Sequence, residues 1–223
     1  MLFESISKDS LPSKSVIKEL AALSKEFDLS YNIHLPIDIY LSDHDPSKRH
    51  NAVETIKRVI DLTLPLSPSA SILHLPYNED PGNEESVSLW QERIYQGFEQ
   101  LSASGIGGEL LSIETLTYQV EWIGAFIKDF NLSVCIDLGH LIMHGFDIKA
   151  VFNKYSEQTS IIHLHGVENG QDHRSLDRLS KKEMDHVIDI LTGFMGVVSL
   201  EVFSFKDLDP SLKFLEQCWQ RYE

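Results

Sequence analysis

Six short motifs end an apolar, largely β-branched run in a carboxylate or an imidazole: Ile33-His34-Leu35-Pro36, Leu73-His74-Leu75-Pro76, Ser112-Ile113-Glu114, Ile136-Asp137-Leu138-Gly139-His140, Ile161-Ile162-His163-Leu164-His165 and Leu200-Glu201-Val202. The leading members His34, His74, Glu114, Asp137, His163 and Glu201 stand 40, 40, 23, 26 and 38 residues apart. A strand with its crossover helix takes about 30 residues or more. A barrel of parallel strands aims one such residue from the end of each strand at a single mouth. Ligand-type residues arriving there together point to a metal site with more than one ion.

Taken singly, each motif has a plainer reading. One His after an apolar run is more often a satisfied core or loop histidine, and Glu114 or Glu201 alone could cap a helix or join an ion pair. Type and position together decide otherwise. A buried charge at the end of a strand costs several kcal/mol unless a metal or counter-charge satisfies it. Six consecutive strand ends of this kind are hard to assemble by chance. Glu114, Asp137 and Glu201 are accordingly the candidate catalytic carboxylates.

The elements that must position these groups alternate along the chain, strand then helix, as in a parallel sheet. After a short strand at Leu2-Phe3, the residues Val16, Ile17, Leu20, Leu23 and Phe27 fall at helical spacing. Asp45-Pro46 signals the start of a helix carrying Val53, Ile56, Val59 and Ile60. An acidic loop from Asn78 to Glu85 precedes a helix with Leu89, Ile94, Phe98 and Leu101. A helix with Val120, Ile123, Ile127 and Phe130 follows Glu114, and a shorter one lies near Ala150. Ser180-Lys181-Lys182-Glu183 reads as a capping box. Pro210 is expected to open the last helix.

These elements predict an α/β fold, a TIM-type (β/α) barrel forming one domain over residues 1–223, with seven strands visible. A closed eight-stranded barrel usually needs about 250 residues. The shortfall is expected at the N-terminus, where Leu2-Phe3-Glu4 already ends a strand, so the first βα unit is missing and the start is expected to be assigned too late.

Composition excludes other classes. Acids outnumber bases 34 to 19, for a formal charge of −15. Nucleic-acid binding rests on Lys and Arg neutralising phosphates, so a nucleic-acid partner is not expected. No apolar run approaches the roughly 20 residues that span a bilayer. No secretory signal is visible, and Cys135 and Cys218 make no disulfide framework, so the expected location is cytoplasmic. No G-x-S-x-G elbow or P-loop offers another chemistry, and Gly105-Ile106-Gly107-Gly108 reads as a turn.

The order His, His, Glu, Asp-x-x-His, His, Asp-His, Glu on successive strands resembles the xylose-isomerase-like superfamily of barrels. Within it, the fuller set resembles the trinuclear endonuclease-IV-type site more than the sparser Glu-Asp-His-Glu set of sugar isomerases and epimerases. The resemblance implies that His34, His74 and Glu114 serve one metal, Glu114, Asp137, His163 and Glu201 a second, and His140 with Asp172 and His173 a third. The endonuclease pattern has one residue between the last Asp and His, whereas here they are adjacent. Two or three divalent ions are expected, with Zn, Mn, Fe and Co all suited to imidazole and carboxylate.

A closer resemblance runs over nearly the whole chain. Leu2-Phe3-Glu4-Ser5, Tyr31-Asn32-Ile33-His34-Leu35-Pro36-Ile37-Asp38, His163-Leu164-His165-Gly166-Val167, Asp172-His173 and Val197-Val198-Ser199-Leu200-Glu201-Val202-Phe203-Ser204 together resemble the cobamide-remodelling phosphodiesterases. Those proteins carry a further βα unit before the Leu-Phe-Glu strand. The resemblance implies hydrolysis of the nucleotide loop of a cobamide, a small-molecule corrinoid, to cobinamide phosphate and an α-riboside.

Residues beside the motifs complete the candidate set. Glu4, Asp38, His165 and Arg174 are candidate substrate contacts, although Arg174 has the plainer reading of a solvated loop arginine. His165 lies two residues from His163, so it could replace it as ligand, touch phosphate or support the ligands. His144 lies just past a strand end and could line the pocket, while His44, His50 and His186 look like surface positions. The competing reading is a sugar or sugar-phosphate isomerase or epimerase, with Glu114 and Glu201 flanking one metal. DNA repair is disfavoured by charge. A non-catalytic corrinoid-binding protein is the remaining alternative.

Overall fold

Most parallel strands of this chain carry short buried apolar runs, as Ile72-Leu73 and Val134-Cys135-Ile136 do, the pattern of strands covered on both faces. The structure, a computed structural model, describes Met1, Phe3 and residues 11–221. These form two compact units, Met1–Glu114 with Glu121–Ser133, and Thr115–Val120 with Val134–Glu223.

In the first unit β1 (Ile33–His34), β2 (Ser71–Leu73) and β3 (Leu111–Glu114) run parallel in that order. The register sets Leu73 beside Ile113, so His74, one residue on, comes level with Glu114. The helices are α1 (Lys14–Phe27), α2 (Pro46–Thr63), α3 (Glu84–Ala103) and α4 (Gly124–Asp129). Three of them start where the sequence supplies an acceptor for the free amides of the first turn. The Ser13 hydroxyl takes the N–H of Val16, Asp45 that of Ser47, and Asn83 those of Glu85 and Ser86. Each such cap contributes about 1 kcal/mol. On α3, Trp90, Ile94, Phe98 and Leu101 recur one turn apart and are all buried. The α4 helix begins at Gly124, later than the Val120 pattern predicts.

The predicted first strand, Leu2-Phe3, lies partly outside the described residues, as does Glu4. Phe3 is buried, and its N–H donates to the His34 carbonyl at 3.1 Å while the His34 N–H donates to Met1 at 2.8 Å. Both sides of the His34 peptide are thus fixed.

In the second unit the elements are β4 (Ser133–Asp137), α5 (Leu138–Met143), α6 (Ile148–Tyr155), β5 (Thr159–Leu164), β6 (Gly166–Glu168), β7 (Gln171–Arg174), α7 (Lys181–Thr192), β8 (Val197–Leu200) and α8 (Phe205–Gln220). β4, β5 and β8 are parallel, with Asp137 beside His163 and Leu164 beside Leu200. The Glu201 N–H extends this ladder onto the Leu164 carbonyl at 3.0 Å. The capping box of Ser180 and Glu183 forms as expected.

Three features depart from the sequence reading. The segment expected as a loop around Asp172 is an antiparallel hairpin of β6 and β7. The α5 helix follows β4 at once, because Asp137 both ends the strand and caps the helix. The last helix starts at Phe205, capped by Ser204, and Pro210 lies inside it. That position is near enough to the first turn that the missing proline N–H leaves only one carbonyl, on exposed Lys206, without its helical donor. No helix among the described residues is long and apolar enough to cross a membrane.

Candidate metal centre

The first unit gathers three donors. His34 and His74 stand at the ends of β1 and β2, and Glu114 closes β3. The Nε2 atoms of the two imidazoles are 3.1 Å apart, and Glu114 Oε2 lies 3.3 Å from the first and 3.0 Å from the second. His34 Nδ1 faces the Leu35 carbonyl at 2.9 Å, a contact that places the proton on Nδ1 and leaves the Nε2 lone pair inward. Ligands about 2.0–2.1 Å from a zinc-sized ion in a tetrahedron stand about 3.3–3.4 Å from one another. The triangle has nearly those edges, so its chemistry and spacing fit a divalent ion with one position left open. Glu114 is 1% exposed, where an isolated carboxylate would be costly.

The second unit gathers three carboxylates and four imidazoles. Asp137 is fully buried, with its N–H on Thr115 Oγ1 at 2.9 Å and its Oδ1 accepting the His140 N–H at 2.8 Å. Its Oδ2 lies 3.3 Å from His140 Nδ1 and 3.9 Å from His163 Nδ1. His163 Nδ1 is 2.8 Å from Glu201 Oε2. Donor atoms of Asp137, His163 and Glu201 thus lie within 4.8 Å of one another, as do those of His140, His165 and His173. Both groups have the donor types a divalent ion takes.

The hairpin brings Asp172 and His173 to the same place. Asp172 Oδ2 is 3.7 Å from His140 Nε2, and its Oδ1 is 3.1 Å from His173 Nδ1. Burial works against charge on both, yet the contact holds the Asp172 carboxyl below its usual range. Likewise Glu201 and Asp172 outweigh the burial of His173 and push its pKa up to about 9. His165 is fully buried, and it too is raised, because Asp137 outweighs the burial that opposes its charge.

Other expected residues lie as follows. Asp38 and His144 are exposed, as are His44 and His50, whereas His186 is half-buried. Arg174 is half-buried and pairs with Gln171 within the hairpin. Glu4 lies outside the described residues. Two supporting residues carry no sequence signal. Thr115 holds the Asp137 amide, and Gly139 leaves room for the His165 ring, which an added Cβ would approach to 2.2 Å.

The family model described as "Xylose isomerase-like TIM barrel" matches residues 3–218. Among solved structures, a D-tagatose 3-epimerase-like protein superposes with a TM-score of 0.75 at 19% identity, covering 94% of this chain and 84% of its own. Endonuclease IV from Thermus thermophilus gives 0.67 at 14% identity, covering 95% of this chain and 84% of its own. The TTHB071 protein from the same organism, soaked with ZnCl2, gives 0.69 at 18% identity, covering 97% and 87%. A search of curated proteins finds no match to the sequence.

Proposed function

The chain belongs to the xylose isomerase-like TIM barrel family, and from that premise we propose that it is a metal-dependent phosphodiesterase hydrolysing the nucleotide loop of cobamides. Water supplies the oxygen of a new bond to phosphorus as the bond from phosphorus to the riboside oxygen breaks. The phosphate stays on the corrinoid as cobinamide phosphate, and the α-riboside leaves with a proton on that oxygen.

The observation that carries this reading is the triangle of His34, His74 and Glu114. Moving a proton between carbons needs one ion flanked by two carboxylates, and two imidazoles converging on Glu114 have no place in that scheme. In the hydrolytic reading they hold one ion. Asp137, His163 and Glu201 hold a second, and His140 with Asp172 and His173 holds a third where three are present. Bound ions supply an acidified water and charge stabilisation for the entering and leaving oxygens. The protein's own groups fix the ligands: Thr115 holds the Asp137 backbone, and the Leu35 carbonyl orients His34.

A second reading, sugar or sugar-phosphate isomerase or epimerase, is favoured by the epimerase-like structural neighbour. The two separate in one experiment. Metal-replete protein is incubated with a cobamide, its metal is counted, and the corrinoid product is weighed by mass spectrometry. Two or more ions per chain and cobinamide phosphate are expected. One ion per chain, an intact cobamide and an epimerised ketose would overturn the proposal.

A further inference from the structure

We propose that Phe203 is a stacking platform for the flat base of the substrate, with the leaving riboside laid on the outer face of its ring. This rests on the phosphodiesterase reading and adds to it the residue that binds the base.

A single exposed phenylalanine needs no explanation on a protein surface. Phe203 is set apart by what lies beneath it. The residue is 65% exposed, yet its ring is stacked on His173 with centroids 4.5 Å apart and planes 25° from parallel. His173 is stacked in turn on His165, at 4.4 Å and 19°. The three rings form one column that starts at the fully buried His165 and ends at the exposed Phe203. The open end of that column is the outer face of a phenyl ring.

The column ends where a base would be needed. Phe203 stands two residues after Glu201, whose N–H extends the β5–β8 ladder onto Leu164. It therefore lies just beyond the C-terminal end of β8, the end of a barrel strand at which substrates bind. His173 Nε2 is 3.8 Å from Glu201 Oε2, so one imidazole meets both the platform and a carboxylate of the candidate metal centre. Two residues of chain span at most about 7 Å. One sugar bridges a similar gap, so a base on Phe203 leaves its phosphorus close to an ion held by Glu201. A flat heterocycle continues the column, because every base offers a π face to an aromatic side chain. A ketose has no such face.

The test compares Phe203→Ala, Phe203→Leu and Phe203→Tyr with the unaltered, metal-replete protein. Leucine keeps apolar bulk over His173 without a π face, and tyrosine keeps the ring. Steady-state kinetics on a cobamide with a benzimidazole base give KM and kcat, and equilibrium dialysis gives ion number and affinity. Calorimetric titration gives the affinity for the benzimidazole riboside alone and for cobinamide, the corrinoid without its base. In Phe203→Ala and Phe203→Leu, KM should rise and riboside affinity fall by about 5–150-fold, the range for one base stacked on an aromatic side chain. The effect should fall on KM and not on kcat, with ion affinity and cobinamide binding unchanged, and Phe203→Tyr should stay close to the unaltered protein. Ion affinity lost in alanine and regained in leucine, with riboside binding unmoved, would make Phe203 only a prop for His173. Weakened cobinamide in place of weakened riboside would put the corrin ring there. Either result, or an unchanged KM, overturns the proposal. If the unaltered protein leaves the cobamide intact, the phosphodiesterase reading has failed. Riboside titration, which needs no turnover, then still decides the platform: binding that Phe203→Ala weakens keeps it, and no binding removes it.

Discussion

Asp172 and His173 are neighbours on one strand, yet both lie beside His140, because His173 adopts a left-handed backbone conformation with φ of 52°. Regular strands send adjacent side chains to opposite faces. The positive φ breaks that alternation. Such a conformation costs a non-glycine residue roughly 1–3 kcal/mol and tends to cluster at functional sites. His173→Gly should therefore keep the hairpin while losing the imidazole. Metal counting should show one ion fewer or a markedly weaker one, with the melting temperature unchanged or raised. A melting temperature several degrees lower, with metal retained, would count against a functional origin for the strain.

The carboxylates that end β3 and β4 should be indispensable. Glu114→Gln and Asp137→Asn keep size and remove charge at nearly inaccessible positions. Activity should fall more than about 100-fold in each, beyond the 10–100-fold typical of groups that only support ligands. Circular dichroism should show the fold intact. His34→Ala should be milder, removing the ion of the first unit while those of the second unit stay. Near-normal turnover in either carboxylate variant would refute the assigned site.

Strand ends were legible because each couples two signals, an apolar run and an abrupt polar close, as in Ile161-Ile162-His163 or Ser112-Ile113-Glu114. Helix starts were legible where a cap residue stands alone before the helix, as Asp45 and Ser180 do. The hairpin was not, since Gly166 to Arg174 lacks any apolar alternation and is held by the His165 ring and a left-handed turn. Nor was α5, whose cap is Asp137, a residue that the strand pattern already claims. Pro210 misled because the Ser204 cap overrides it from six residues upstream. Spacing alone puts His163 and His165 on the same face of their strand and does not separate them.

Ion binding should be coupled to proton release. His173 ordinarily titrates near 6.5 and is raised to about 9 in the folded, ion-free protein. Its proton must leave before the ring can bind an ion. Affinity at that site should therefore climb with pH across the window from about 6.5 to 9 and level off above it. The ion-free protein should behave oppositely. Its stabilisation by the protonated ring is complete below 6.5 and fades as pH rises through about 9. Zinc titrations and thermal melts across this window test both slopes, and a pH-independent affinity would remove His173 from the ligand set.

Gly166→Ala should damage the hairpin selectively. A Cβ there would come 1.9 Å from the Ser175 carbonyl oxygen, a backbone atom that cannot swing aside. Overpacking of this kind costs about 1–3 kcal/mol. The loss should appear in chemical denaturation together with weakened metal binding by His140 and His173. Gly170→Ala, in open space at the hairpin turn but with φ of 70°, should cost stability without touching the metal. Equal metal loss in both variants would show that the effect is general unfolding.

Arg93 on α3 ties together the segments that follow His34 and His74. Its Nε donates to the Ser42 carbonyl at 2.7 Å and its Nη2 to Glu79 Oε1 at 3.1 Å, while His44 Nε2 lies 3.2 Å from the same oxygen. The side chain is 13% exposed, so water replaces these bonds poorly when they break. Between the two segments lies a cleft of about 270 Å³ lined by Tyr40, Ser42, Asp43, His44, Glu79 and Trp90. A guanidinium spans both partners, whereas an ammonium offers a single point of contact. Arg93→Ala should lower stability by about 1.5–3 kcal/mol, the usual worth of a hydrogen bond to a charged group. It should also raise KM by freeing both walls of the cleft, while leaving the ion of the His34 triangle in place. Arg93→Lys should fall between the two, keeping charge but holding only one segment. Denaturant melts, KM and metal content measured together decide the matter, because a raised KM with unchanged metal content separates loosened walls from a damaged centre.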